Sequence, residues 1–343
     1  MHTQLDAVLR QMQEEMASAP DIVRPSKYWE ELNKQHLIDT ASEGIGSFKR
    51  TLARNYFMWT RLLPWDSQVR FLVSHLPLIA TVRAALGIFA PFTHRRIPLF
   101  EGFALNFLTR LIWQYVEREA PKEIASLTEP TVGNPPDIKL HGRMISQDLA
   151  NSVLEYKSFE EVAIESSIIC ELGGGYGRNA FVTSSLVPGA KYIMADIPPA
   201  LGVAQTYLGE IFPTKRHFRF RPFSNFETVR DEFEAADFVF LLPHQLMRLP
   251  NSCVDLFINI SSLHEMRLDQ IDFYLEEIHR LVRPDGHFYL KAWKTSKIPF
   301  EEIVVRESDY QLDRWQTVYR RTPKVQSRFF ETLQRKPSGT SRA

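Results

Sequence analysis

Sulfur chemistry has little to work with in this chain: of 343 residues only two are cysteine, Cys170 and Cys253. Each lies in an apolar run with the character of a strand, so both are expected as buried free thiols, as in a reducing compartment. A charge surplus is also missing, because 41 Lys and Arg stand against 41 Asp and Glu. Nucleic-acid binders ordinarily carry a basic excess that displaces counterions from phosphates, so no nucleic-acid partner is expected. Long hydrophobic runs are the third absence. The most apolar stretch, residues 71–92, is broken by His75, Pro77, Arg83 and Pro91. It falls short of the roughly 18 uninterrupted apolar residues of a spanning helix. The opening residues are polar and amphipathic and lack the apolar block of a secretory signal. The expectation is a soluble, cytoplasmic protein with no membrane partner. Its 44% hydrophobic content supplies ample material for a core.

Helical spacing dominates the first part of the chain. Leu5, Val8, Leu9, Met12 and Met16 recur at i, i+3 and i+4. Further helices are predicted over 27–37, 48–62, 67–90, 101–118 and 144–164, with a Gly- and Pro-rich turn at 129–137. From residue 166 the pattern changes. Apolar runs at 167–172, 191–196, 237–242, 254–259 and 287–293 alternate with helical segments at 177–186, 199–211 and 268–282. Near-continuous apolar strands separated by helices imply a parallel sheet covered on both faces. The reading is an α/β, Rossmann-like sheet at 166–335, preceded by an all-helical cap and connector at 1–165 and followed by a frayed tail at 336–343. Ligands in such sheets bind beyond the carboxyl ends of the strands.

The first of those strands ends in Glu171-Leu172-Gly173-Gly174-Gly175-Tyr176-Gly177, and a helix starts at once. Glycine permits a tight turn and close approach of a ligand to the backbone, and a helix N-terminus adds unpaired N–H groups. A dinucleotide fingerprint needs glycine at its first, third and sixth positions. Counting from Gly173, the sixth position is Arg178, so that fingerprint fails. The spacing that fits is an acid followed by glycine two, four and six positions later, which is motif I of Rossmann-like S-adenosylmethionine (SAM) methyltransferases. This half of the chain resembles them. The second strand ends in Asp196, placed to accept hydrogen bonds from ribose hydroxyls. A Walker lysine is missing, which argues against a nucleoside triphosphate.

A narrower resemblance rests on Phe48-Lys-Arg-Thr-Leu-Ala-Arg-Asn-Tyr56-Phe57, Gly133-Asn134-Pro135, Ile145-Ser146-Gln147-Asp148-Leu149-Ala-Asn151-Ser152, the Glu171–Gly177 run, Asp196-Ile197-Pro198, Leu242-Pro243, and Asn259-Ile-Ser261-Ser-Leu-His264-Glu265-Met266. Together these are similar to a family of sugar O-methyltransferases, over about residues 25–295. The resemblance implies SAM as cofactor and a hydroxyl of a sugar or other small molecule as acceptor. A few relatives of this architecture instead cyclise SAM to azetidine-2-carboxylate and methylthioadenosine. A third reading is a SAM-binding module without catalysis. A small molecule is the expected partner, and a homodimer is left open.

The cofactor-binding residues expected from this reading are Glu171, Gly173, Gly175, Tyr176, Gly177, Asp196, Ile197, Leu242, Pro243, His244, Asn259 and Ser261. Tyr176 could lay its ring against the cationic sulfonium, an interaction worth roughly 0.5–2 kcal/mol. His264 is the candidate general base, since an imidazole near neutral pKa takes a proton from a hydroxyl. Glu265 caps or braces the same loop or meets the substrate. His264-Glu265-Met-Arg-Leu lacks the second histidine of a metalloprotease helix, and no metal is expected. Asn134, between Gly and Pro, could aim its amide at the methionine end of SAM or at the acceptor. Gln147 and Asn151, four apart, share a helix face. Tyr56, with Phe57 and Trp29, could close the pocket from the helical half.

Overall fold

The computed structural model describes residues 2–43, 45–51, 67–86 and 99–338. Tyr56, Phe57, most of the helix expected at 48–62, and residues 87–90 of the one expected at 67–90 lie outside them. In chain order the helices of the first part are α1 (His2–Ser18), α2 (Lys27–Glu43), α3 (Phe48–Thr51), α4 (Ser67–His75), α5 (Leu78–Leu86), α6 (Leu99–Glu119) and α7 (Pro121–Ala125). Pro77 separates α4 from α5, where one helix is predicted, because a proline interior to a helix removes a hydrogen bond and clashes with the preceding turn. A small hairpin, β1 (Lys139–Leu140) with β2 (Arg143–Met144), leads to α8 (Gln147–Glu165). Ser146 caps α8 by accepting the Leu149 N–H at 2.9 Å.

The sheet begins with β3 (Ile168–Leu172) and β4 (Lys191–Ala195), joined by α9 (Arg178–Leu186). After α10 (Ala200–Ile211) come β5 (His217–Phe218), α11 (Arg230–Ala235), β6 (Phe238–Leu241), β7 (Val254–Ile260), α12 (Leu268–Leu281) and β8 (Val282–Trp293). A hairpin of β9 (Thr295–Ile298) and β10 (Ile303–Arg306) follows, and then β11 (Gln316–Arg321) and β12 (Phe329–Arg335). The strand order is β11-β12-β8-β7-β3-β4-β6-β5. From β3 the chain winds outward through β4 to β6, then returns to the other side of β3 for β7 and β8. That reversal opens a crevice at the carboxyl ends beside β3. The expected α/β, Rossmann-like class is what the chain forms.

Two expectations need correcting. The sheet is not wholly parallel: β12 runs antiparallel to β8, and β11 antiparallel to β12. Helix α8, in the segment read as cap and connector, touches the sheet, with Phe159 4.9 Å from the Tyr289 ring and Glu155 bonded to Lys291 of β8 at 2.8 Å. The tail is tied down as far as residue 338. Lys336 donates its N–H to Gly286 and its ammonium to the carbonyls of His279 and Val282, and Ser338 bonds Asp285. Residues 339–343 lie outside the described residues.

Both cysteines are free, and burial pushes Cys253 up to about 11 and Cys170 well above its usual range. Among the described residues no helix is long and apolar enough to cross a membrane. The N-terminal segment reaches across the molecule. Leu9 of α1 lies against Gly202 of α10, so closely that a Cβ there would fall 2.5 Å from the leucine methyl. Residues 19–26 then form a strap, held where Gln270 of α12 donates to the carbonyls of Ile22 (3.1 Å) and Arg24 (2.7 Å). The Lys27 N–H closes onto Glu301 at 2.7 Å.

Candidate functional site

The glycine turn departs from β3 in a conformation that L side chains resist: φ is +79° at Gly173, +60° at Gly175 and +93° at Gly177. A Cβ on Gly173 would sit 2.2 Å from the Ser262 hydroxyl, so this glycine lets the loop after β7 close onto the turn. Asp196 holds the other side. Its Oδ2 accepts the Gly175 N–H and its Oδ1 the Ile197 N–H, both at 2.7 Å. Each oxygen retains a lone pair for a further donor.

A cavity of about 300 Å³ opens where these elements meet. Its walls come from the glycine turn, from Asp196 and Ile197 after β4, from the loop after β7, and from strap residues 23–26 with Trp29 of α2. Four carboxyl groups line it: Asp148, Glu171, Asp196 and Glu265. Burial raises all of them, the first three to about 7 and Glu265 to about 8. Around Asp196 the two backbone N–H groups oppose that rise. At Glu265 the Trp29 bond opposes it, while the charge of Asp196 adds to it. Arg178, also in the wall, is engaged by Glu155 at 2.5 Å and lies 3.6 Å from Asp148. Arg24 turns its Nε to the Ala19 carbonyl. With values this close to neutrality, these carboxyl groups ionise most readily beside a ligand that brings positive charge.

Of the residues singled out from sequence, the cavity gathers Trp29, Glu171, Gly173, Gly175, Tyr176, Asp196, Ile197, Pro243, Ser261, His264 and Glu265. Within that set Glu171 is occupied by the fold, one oxygen accepting the Tyr192 hydroxyl (2.8 Å) and the other the Asn179 amide (3.2 Å). Tyr176 is buried and donates its hydroxyl to Asp148 at 2.5 Å. Burial lowers His264 to about 3, so it is neutral at physiological pH and a weak proton acceptor.

The remaining residues lie off the cavity. Gly177 is the N-cap of α9, against Leu208. Asn259 ties strand ends together, donating to the Leu172 carbonyl and accepting the Leu263 N–H. The Leu242 N–H bonds the Gln245 side chain. His244 approaches Glu15 of α1 at 3.7 Å, and burial holds it down to about 4. Asn134 is exposed and donates to the Ser47 hydroxyl at 3.3 Å. The Gln147 amide reaches the Leu105 carbonyl of α6 at 3.5 Å, and Asn151 is buried in α8 without lining the cavity.

Sequence reasoning passed over Asp148 and Arg178. A signal was present: Asp148, Ser152 and Glu155 fall at i, i+4 and i+7, a polar stripe on a mostly buried helix. Arg178 bonds Ser152 and Glu155 and lies beside Asp148.

No family model matches the chain. It is 32% identical over 119 residues to acetylserotonin O-methyltransferase from Homo sapiens, a match covering 35% of this chain and 28% of that protein. The chain thus spans little more than a quarter of that relative. Among solved structures it is similar to a 1,6-didemethyltoxoflavin-N1-methyltransferase of Burkholderia thailandensis with bound 1,6-didemethyltoxoflavin and S-adenosylhomocysteine. There the identity is 16% over 56% of this chain and 79% of the other, at a TM-score of 0.38. A mitomycin 7-O-methyltransferase shares 12% identity over 79% of this chain and 69% of its own, at a TM-score of 0.35.

Proposed function

We propose that this protein is a SAM-dependent methyltransferase acting on a small molecule. The observation that carries the reading is Asp196, held by two backbone N–H groups beside a left-handed glycine turn and facing the cavity. The 32% match to a methyltransferase supports it. The residues fit the cofactor. Asp196 would accept the ribose hydroxyls. At the glycine turn, Asp148 has an Oδ1 buried without a hydrogen-bond partner, and the Arg178 guanidinium lies beside it. This acid–base pair suits the ammonium and carboxylate of an amino acid, so the methionine end of SAM would lie there. When bound, SAM supplies an electrophilic methyl group on a positively charged sulfur. The chain would supply orientation, exclusion of water and removal of one proton.

A second reading is favoured by one feature. Asp148, raised to about 7 at the proposed ammonium position, is suited to take a proton from that nitrogen. A freed amine on SAM itself could then close onto its own chain and expel methylthioadenosine. Mass analysis of the full-length protein incubated with SAM alone separates the two. Methyl transfer predicts stable SAM until an acceptor is added, whereas cyclisation predicts methylthioadenosine at once. Failure to bind either SAM or S-adenosylhomocysteine would defeat both.

The covering role expected of the helical half falls in this proposal to residues 23–29. Trp29→Ala is expected to lower turnover roughly tenfold or more, because a misplaced wall admits water and loosens alignment. Calorimetry should show S-adenosylhomocysteine affinity changed far less, and an equal loss in both would refute a lid.

A further inference from the structure

Among the described residues Glu265 is bonded to no cation. Its Oε2 accepts the Trp29 indole N–H at 2.9 Å, and its Oε1 lies 3.8 Å from His264 Nε2. Among the described residues no lysine or arginine reaches it, and the other titratable groups that act on it or feel it are Tyr28, Tyr310 and Asp196. His264 stays neutral, and its Nδ1 is buried without a hydrogen-bond partner. Around this pair the cavity wall is aromatic. The His264 ring lies 6.1 Å from Trp293 and 6.4 Å from Phe329, and those two rings are 5.2 Å apart. Trp29, Trp293 and Phe329 all line the cavity.

A sugar ring presents many hydroxyls, each needing a polar partner when buried. Beside Glu265 the cavity wall is built of three large rings, Trp29, Trp293 and Phe329. A carboxyl group among aromatic faces is instead the environment that attracts an organic cation. We propose that the acceptor carries a basic nitrogen, bound as an ammonium ion by Glu265 within the aromatic wall of Trp29, Trp293 and Phe329. The proposal rests on the methyl-transfer reading. The bound nitrogen gives one proton to the Glu265 carboxylate. Its freed electron pair forms the bond to the methyl carbon, and the carbon–sulfur pair returns to sulfur. The products are a methylammonium ion and a neutral thioether, and the proton on Glu265 passes to solvent.

The full-length protein is given SAM with 2-phenylethylamine, 4-methylphenol or methyl glucoside, and products are read by mass. Binding of 2-phenylethylamine to the S-adenosylhomocysteine complex is measured separately by calorimetry. Methylation of the amine alone is expected. Glu265→Gln should lower amine turnover about 100-fold or more, the scale of a lost proton acceptor, and should abolish amine binding. The affinity for S-adenosylhomocysteine should stay within about twofold, and Glu265→Asp should recover part of the turnover. Methylation of the phenol or glucoside without the amine, wild-type amine binding in Glu265→Gln, or a SAM-binding protein that neither binds nor methylates the amine would each overturn the proposal. Failure of the underlying reading shows differently, as no SAM binding or as methylthioadenosine from SAM alone.

Discussion

Asp196→Ala is expected to weaken binding of SAM and S-adenosylhomocysteine by about 1.5–3 kcal/mol, roughly 10- to 150-fold, through loss of charged hydrogen bonds to the ribose. The same change removes the acceptor for the Gly175 and Ile197 N–H groups, so part of the loss comes from a turn no longer held in place. Asp196→Asn separates the two contributions. It keeps one oxygen for the backbone but presents an amide N–H₂ where the other N–H now donates. Calorimetry on folded variants measures both, and unchanged affinity in the alanine variant would defeat the assignment of the nucleoside site.

The second large effect concerns stability. Glu155 is almost fully buried between Arg178 and Lys291, at 2.5 and 2.8 Å. Those two cations hold its carboxyl below the usual range against the opposing effect of burial. Glu155→Ala would leave both without their buried partner, at a cost of about 3–5 kcal/mol. On a domain of this size that corresponds to a fall in Tm of roughly 10 °C. The pH dependence has a definite sign. A depressed folded pKa means the contribution is fully present above the unfolded value near 4.3 and is lost as pH falls through the folded value. The gap in Tm between wild type and variant should therefore be full at pH 7 and shrink on strong acidification. A gap that widens toward low pH would contradict the ion-pair account. Arg178 would also lose its main anchor, so weaker SAM binding should accompany the loss of stability.

What could be read from sequence was whatever depends on neighbours along the chain. The runs that became β3, β4, β6 and β7 are apolar because both faces are covered, and the Glu171–Gly177 turn needs positive φ wherever it occurs. β12 was illegible for the opposite reason. Its Glu331, Thr332 and Gln334 look like surface residues, yet they are buried because Tyr289, Ser158 and Arg321 bond Glu331, Tyr319 bonds Thr332 and Thr317 bonds Gln334. β11 carries almost no buried side chain and shows no apolar alternation. At the site, Asp196 announced itself by position at a strand end. Asp148 was hidden one place from Gln147, because helical phase relative to Arg178 decides which side chain meets the cavity. The part played by Trp29 and residues 23–26 depends on Glu265, Gln270 and Glu301, contacts that no local pattern encodes.

Those contacts also fix an order of events during synthesis. Residues 22–29 leave the ribosome before the groups that hold them, which lie between Glu265 and Glu301. Until that distant stretch has emerged the strap has nowhere to dock, and closing so long a loop is slow compared with pairing of neighbouring elements. The strands from β3 to β7 can associate beforehand, since all of them precede Glu265 in the chain. The cavity, whose wall the strap completes, thus closes only after that stretch has been made.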